Sequence, residues 1–75
     1  MTLGELRVGE RARVVEVAGV DDISIRLMEM GIIPGVELFL VGTSLFGDPI
    51  ELELRGYHLS LRKSEAKRVL IERAI

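Results

Sequence analysis

The sequence predicts a mostly β domain, a small barrel of about five short strands interrupted by one or two short helices. Three observations carry that prediction. The run from Ile50 to Arg62 alternates apolar and polar residues on both sides of a Gly56-Tyr57 break. Gly, Pro and Asp punctuate the rest of the chain at short intervals, and Asp22 to Met30 alone has sustained helical apolar spacing.

Strict alternation marks a strand with one buried and one wet face. Two such runs separated by two residues, with Gly first, read as a hairpin closed by a type II′-like turn. The implied register sets Arg55 opposite His58, Glu53 opposite Ser60 and Glu51 opposite Arg62 on the outer face. Leu54–Leu59 and Leu52–Leu61 then pair inside. Every charged residue of the hairpin has a structural task, so this part reads as scaffold.

The other elements follow in order. Leu6 to Gly9 reads as a turn leading into a strand over Arg11 to Ala18, and Gly19 to Asp22 breaks that strand. Asp21 or Asp22 can cap a helix by accepting a backbone N–H, with Asp22–Arg26 as weak i,i+4 support. Gly31 suits the left-handed position that ends the helix. Pro34-Gly35 fits a type II turn into a strand over Val36 to Gly42. A loop from Thr43 to Pro49 precedes the hairpin. Lys63 to Lys67 reads as one helical turn that Ser64 could cap, and Val69 to Glu72 as the last strand.

Composition narrows the classes of function. Seventy-five residues make a single domain over 1–75, and a chain of this size buries about 60–65% of its unfolded surface. No cysteine is present, so neither disulfides nor thiolate metal sites staple it. The apolar content is 48%, almost all aliphatic, since the aromatics are Phe39, Phe46 and Tyr57. Ten basic and twelve acidic residues are interspersed, for a net charge of −2, which gives no strong field for nucleic acid or an anionic membrane. The N-terminus lacks a signal-peptide pattern, and no apolar run approaches the roughly 18 residues of a membrane span. The expected compartment is cytoplasmic.

Two places are more apolar than packing requires. On a helical wheel Ile23, Leu27 and Met30 share the face that should plug the barrel, while Ile25 and Met28 fall opposite, beside Ser24 and Glu29. Leu45-Phe46 stands in a stretch that otherwise reads as turn. Exposed apolar groups in close company mark partner surfaces, and Ile25, Met28, Leu45 and Phe46 form the candidate binding patch, flanked by Arg26. The alternative is that Leu45 folds back over a barrel mouth and the helix is sandwiched.

These residues carry a resemblance. Arg26-Leu27 followed by Met30-Gly31-Ile32-Ile33-Pro34-Gly35 resembles an arginine-leucine helix ending in leucine-glycine-aliphatic-x-proline-glycine, with Met30 in place of the usual leucine. Leu45-Phe46-Gly47-Asp48-Pro49-Ile50 resembles a proline-leucine-glycine-aspartate-proline-isoleucine loop. Gly56-Tyr57, Leu59-Ser60-Leu61-Arg62 and Ser64-Glu65-Ala66 resemble the same family's closing segment. The family is FeoA, small cytoplasmic accessory proteins of bacterial and archaeal ferrous iron uptake, and the match runs from about Leu3 to Glu72. The resemblance implies an SH3-like barrel, a transition-metal context and a partner, the FeoB membrane transporter with its cytosolic GTPase domain. It implies no catalytic motif.

The single histidine, His58, lies at the hairpin turn, and with diagonal Glu53 it offers two groups where a ferrous site needs several. No metal ligand set and no cofactor site are therefore expected. Asp21-Asp22 reads as a helix cap, Asp48 as a cap of its own turn, and Ser24, Ser44, Ser60 and Ser64 have no base to activate them. No Gly-rich phosphate loop is visible, so no enzyme is expected. Three scattered aromatics cannot easily line an SH3-type groove for Pro-rich peptides. The carboxy-terminal barrel of DtxR-type iron-dependent repressors also looks similar, but no DNA-reading helix-turn-helix accompanies it. Arg62, Lys63, Lys67 and Arg68 cluster, with Glu65 and Glu72 to neutralise them. The expectation is a non-enzymatic accessory or regulatory module that binds FeoB. The alternatives are a repressor-like regulatory barrel and a general protein-interaction module.

Overall fold

A computed structural model describes residues 1–74. The order is a 3-10 turn at Leu3–Glu5, then β1 (Arg11–Val17), α1 (Asp22–Glu29), β2 (Glu37–Thr43), β3 (Ile50–Leu54), β4 (Tyr57–Leu61), α2 (Lys63–Ala66) and β5 (Val69–Arg73). The strands form one antiparallel sheet in the order β4-β3-β2-β1-β5. Ala12 and Val14 of β1, Leu38 and Leu40 of β2, all three inward residues of β3, Leu61 of β4, and Val69 and Ile71 of β5 meet in a single core cluster. One face of a five-stranded sheet can converge on one core only by curling, and this curled sheet is the expected small barrel. Leu3 and Leu6, Leu27 and Ile32, and Ala66 plug it from the helical elements.

The barrel does not abolish its own edges. β4 and β5 share no ladder. The outer edge of β5 is covered by the N-terminus, where Thr2 bridges Leu70 and the Ile71 N–H donates to the Met1 carbonyl at 2.9 Å. Among the described residues β4 pairs only with β3.

The hairpin faces are as expected, but its register is not. Leu54 pairs with Tyr57, Glu53 with His58, Leu52 with Leu59, Glu51 with Ser60 and Ile50 with Leu61. The turn residues are Arg55 and Gly56, at φ 50° and 81°. Two consecutive positive φ values define a type I′ turn, whose twist matches that of the flanking strands. Tyr57 is thereby released from the turn into β4. The shift is two residues, so the period-2 pattern keeps the same leucines inside.

In β1, Ala12 and Val14 face the core, and a register shift between Val14 and Glu16 breaks the alternation there. This bulge explains why neither face of the strand reads as continuously apolar. At α1, Asp21 is the cap, its carboxylate accepting from the Ser24 N–H at 3.2 Å. Ser24 is fully buried, not on the outer face. Its hydroxyl donates to the Asp21 carbonyl at 2.8 Å, which satisfies the polar group and lets a small side chain sit against the core. Ser64 does not cap α2. Arg62 holds the cap position, and the Glu65 carboxylate accepts its N–H at 3.2 Å, which is the backward half of a capping box.

Gly31 ends α1 at φ +100°, and a β-carbon there would strike the Tyr57 hydroxyl. That hydroxyl donates to the Met30 carbonyl, tying the helix end to β4. Gly31→Ala is expected to cost about 1–3 kcal/mol from the left-handed backbone and the collision together. Its urea midpoint should fall, and Tyr57→Phe in the same chain should return the part due to collision. Costs of Gly31→Ala and Tyr57→Phe that simply add in the double variant would assign the whole Gly31→Ala cost to the backbone.

Asp21 also receives two hydrogen bonds from the Arg68 guanidinium, both at 2.7 Å, joining the start of α1 to the approach to β5. The Arg68 bonds first, and the Ser24 N–H second, hold its carboxyl well below the usual carboxylate range. A carboxyl depressed in the folded state adds stability that is present above its ordinary value and lost as pH falls toward the folded one. Thermal unfolding from pH 5 downward should therefore show a smaller acid-side loss in Asp21→Asn than in the unmodified chain. Equal slopes would remove Asp21 from the acid response.

Candidate functional site

The loop between β2 and β3 is tightly built and carries its apolar residues outward. The Ser44 N–H donates to the Pro49 carbonyl at 3.1 Å and the Gly47 N–H to the Ser44 carbonyl at 2.9 Å. The Ser44 hydroxyl donates to the Asp48 carbonyl. Asp48 does not cap its own turn, because its carboxylate accepts the Lys63 N–H, fifteen residues away, at 2.9 Å. The loop is thus pinned to the start of α2. Leu45 and Phe46 at its tip are each 91% exposed, so Leu45 does not fold back over a barrel mouth.

α1 turns Leu27 into the core and leaves Ile25 and Met28 50% and 40% exposed. Ile23 and Met30 are half-buried against the core. A groove of about 590 Å³ separates α1 from the loop, with Arg26, Met30, Pro49, Ser60, Arg62 and Glu65 among its walls. Arg26 is thus the predicted residue that the structure brings toward the loop. Ile25 and Met28 are outward and do not line the groove. Arg26 does not pair with Asp22; it reaches across to Glu65 of α2, thirty-nine residues on. Asp48 and Glu65 are therefore both engaged, while Arg62 has no ion pair among the described residues.

Sequence reasoning left Met30, Pro49, Ser60 and Arg62 out of the site. They come from three separate places, the end of α1, the loop before β3 and the end of β4, and only Ser60 and Arg62 share a strand period. The one available signal was Arg62, whose assumed partner Glu51 faces Ser60 in the true register. On the outer face of the hairpin, His58 Nε2 lies 3.1 Å from Glu53 directly opposite. Among the described residues no three His, Cys, Asp or Glu side chains converge as a metal-ligand group. No helix there is long and apolar enough to cross a membrane.

Residues 1–73 match the FeoA domain family. This chain belongs to the FeoA family. FeoA proteins are accessories of ferrous iron transport. The chain is 32% identical over 72 residues to a Porphyromonas gingivalis protein in which Fe(2+) transport protein A is fused to the Fe(2+) transporter FeoB. The matched segment is 96% of this chain and 8% of that protein's length. Among solved structures, the FeoA-like protein of Clostridium acetobutylicum superposes with a TM-score of 0.94 at 40% identity, covering 100% of this chain and 87% of the other. The Stenotrophomonas maltophilia FeoA, solved in complex with zinc and described as a prokaryotic SH3-domain protein, gives 0.85 at 36% identity over 96% and 89%. The SH3-like fold implied by the sequence motifs is therefore shown. A manganese-dependent transcriptional repressor shares the fold alone, with a TM-score of 0.89 at 17% identity over 99% of this chain and 36% of the repressor.

Proposed function

We propose that this FeoA chain is a cytosolic, non-enzymatic module that binds a FeoB-type ferrous iron transporter and biases its conformation. The observation that carries the reading is the fusion relative, where a segment matching 96% of this chain and FeoB share one polypeptide. Fusion keeps two partners at high effective concentration, which is useful where they act together. The surface best suited to the contact is the Leu45-Phe46 tip, with Ile25 and Met28 of α1 as a second apolar area and Arg26 between them. Contact alone shifts nothing: the module must bind one state of the transporter better than another.

Arg26 is the candidate for delivering a charge to a GTPase transition state. It would have to leave Glu65 to do so, so Arg26→Ala should lower any stimulation of GTP hydrolysis by a larger factor than it weakens docking. Binding of this chain to its transporter reconstituted in nanodiscs tests the reading. Saturable binding that differs between nucleotide states is expected, and binding weaker than about 1 mM in every state would overturn it.

A further inference from the structure

The outer edge of β4 is an open main-chain surface set beside a helix. In a two-residue hairpin the pair flanking the turn, here Leu54 and Tyr57, exchanges both backbone hydrogen bonds, and bonding alternates from there. Tyr57, Leu59 and Leu61 thus spend their N–H and C=O groups on β3, and those of His58 and Ser60 point out of the sheet. α2 closes the edge beyond them, since the Arg62 N–H donates to Glu65 and its carbonyl accepts from Glu65 and Ala66. The inward side chain at mid-edge, Leu59, is only partly buried although its partner Leu52 is fully buried. Ser60 and Arg62 open onto the groove whose opposite wall is α1.

We infer that this edge takes up an extended peptide segment of a partner, by strand addition between β4 and α1, the segment alternating apolar and acidic residues. Strand addition uses main-chain hydrogen bonds for affinity and alternate side chains for selectivity. The alternation follows from what β4 already accepts on its other side, where Ile50-Glu51-Leu52-Glu53-Leu54 puts aliphatics inward and Glu53 against His58. The acidic preference follows from charge. Glu65 is paired with Arg26, Asp48 is held at the Lys63 N–H, and the Arg62 guanidinium makes no ion pair among the described residues. Met30, Pro49 and Leu61 supply the apolar wall.

The probe is a capped pentapeptide of sequence Ile-Glu-Leu-Glu-Leu, titrated into the ¹⁵N-labelled chain. The His58 and Ser60 amides should shift and gain protection from exchange. Two peptides N-methylated on alternate sets of amides should then differ, one binding like the parent and the other about tenfold more weakly. Arg62→Glu should weaken the parent by a similar factor. Equal binding of both methylated peptides, shifts that spare His58 and Ser60, or no shifts at all would each overturn strand addition. Protection of those amides in a dimer without peptide would give the edge to a second copy and overturn it as well. Leu45→Asp should leave peptide binding unchanged, so this inference and the transporter reading fail separately.

Discussion

Leu45→Asp combined with Phe46→Asp is expected to weaken binding to the transporter at least tenfold while leaving the fold intact. Each side chain is 91% exposed in the free chain, so neither contributes packing to be lost. Exposed substitutions away from special features usually change stability by within about 0.5 kcal/mol. In a complex, burying a large apolar side chain contributes about 1.5–3 kcal/mol, and a carboxylate in its place would have to be desolvated without a partner. The rigid loop amplifies the effect, because its pinning to the Lys63 N–H presents both side chains in a fixed direction. Titration calorimetry with the transporter and a thermal melt of the variant alone separate the two quantities. A lowered melting temperature would assign the tip to the core, and unchanged affinity would remove it from the docking surface.

Leu27→Ala carries the largest expected cost in stability, about 3 kcal/mol. Leu27 is the only fully buried apolar residue of α1, with Ile23 and Met30 only partly covered on either side of it. An eight-residue helix is too short to hold itself together in water, and this side chain is the largest buried apolar contact that docks it. Domains of this size have only about 5 kcal/mol to lose. Chemical denaturation should show a much lower midpoint, and the amides of α1 and of the groove should exchange faster. A midpoint close to that of the unmodified chain would mean that Ile23, Met30 and the Asp21–Arg68 link hold α1 without it.

Much of the fold is legible in the chain because its signals are local. Asp21 caps α1, Gly31 ends it, Gly35 takes φ +91° in the Pro34-Gly35 turn, and the alternation of β3 and β4 marks the faces. The hairpin register is not legible in the same way. A period of two fits every register that differs by two residues, and the choice falls to Arg55, which adopts a positive φ that residue type alone does not announce. Ser24 misleads a helical wheel for a related reason: its hydroxyl is satisfied by Asp21 three residues back, so a polar residue occupies a core position. The open edge of β4 depends on which strands close the sheet, and the groove depends on Arg26 meeting Glu65. Both are long-range outcomes. The exposed tip at Leu45-Phe46 was legible because two large apolar residues inside a turn have no local reason to be there.

Docking of this chain on the transporter through that tip is the central expectation. A backbone-amide NMR titration with the purified cytosolic domain of FeoB, with and without a GTP analogue, tests it most directly. Shifts confined to Leu45 to Asp48 and the outward side of α1 around Ile25 and Met28, and larger in one nucleotide state, are the predicted result. The absence of shifts in both states, or shifts that leave Leu45 and Phe46 untouched, would contradict it.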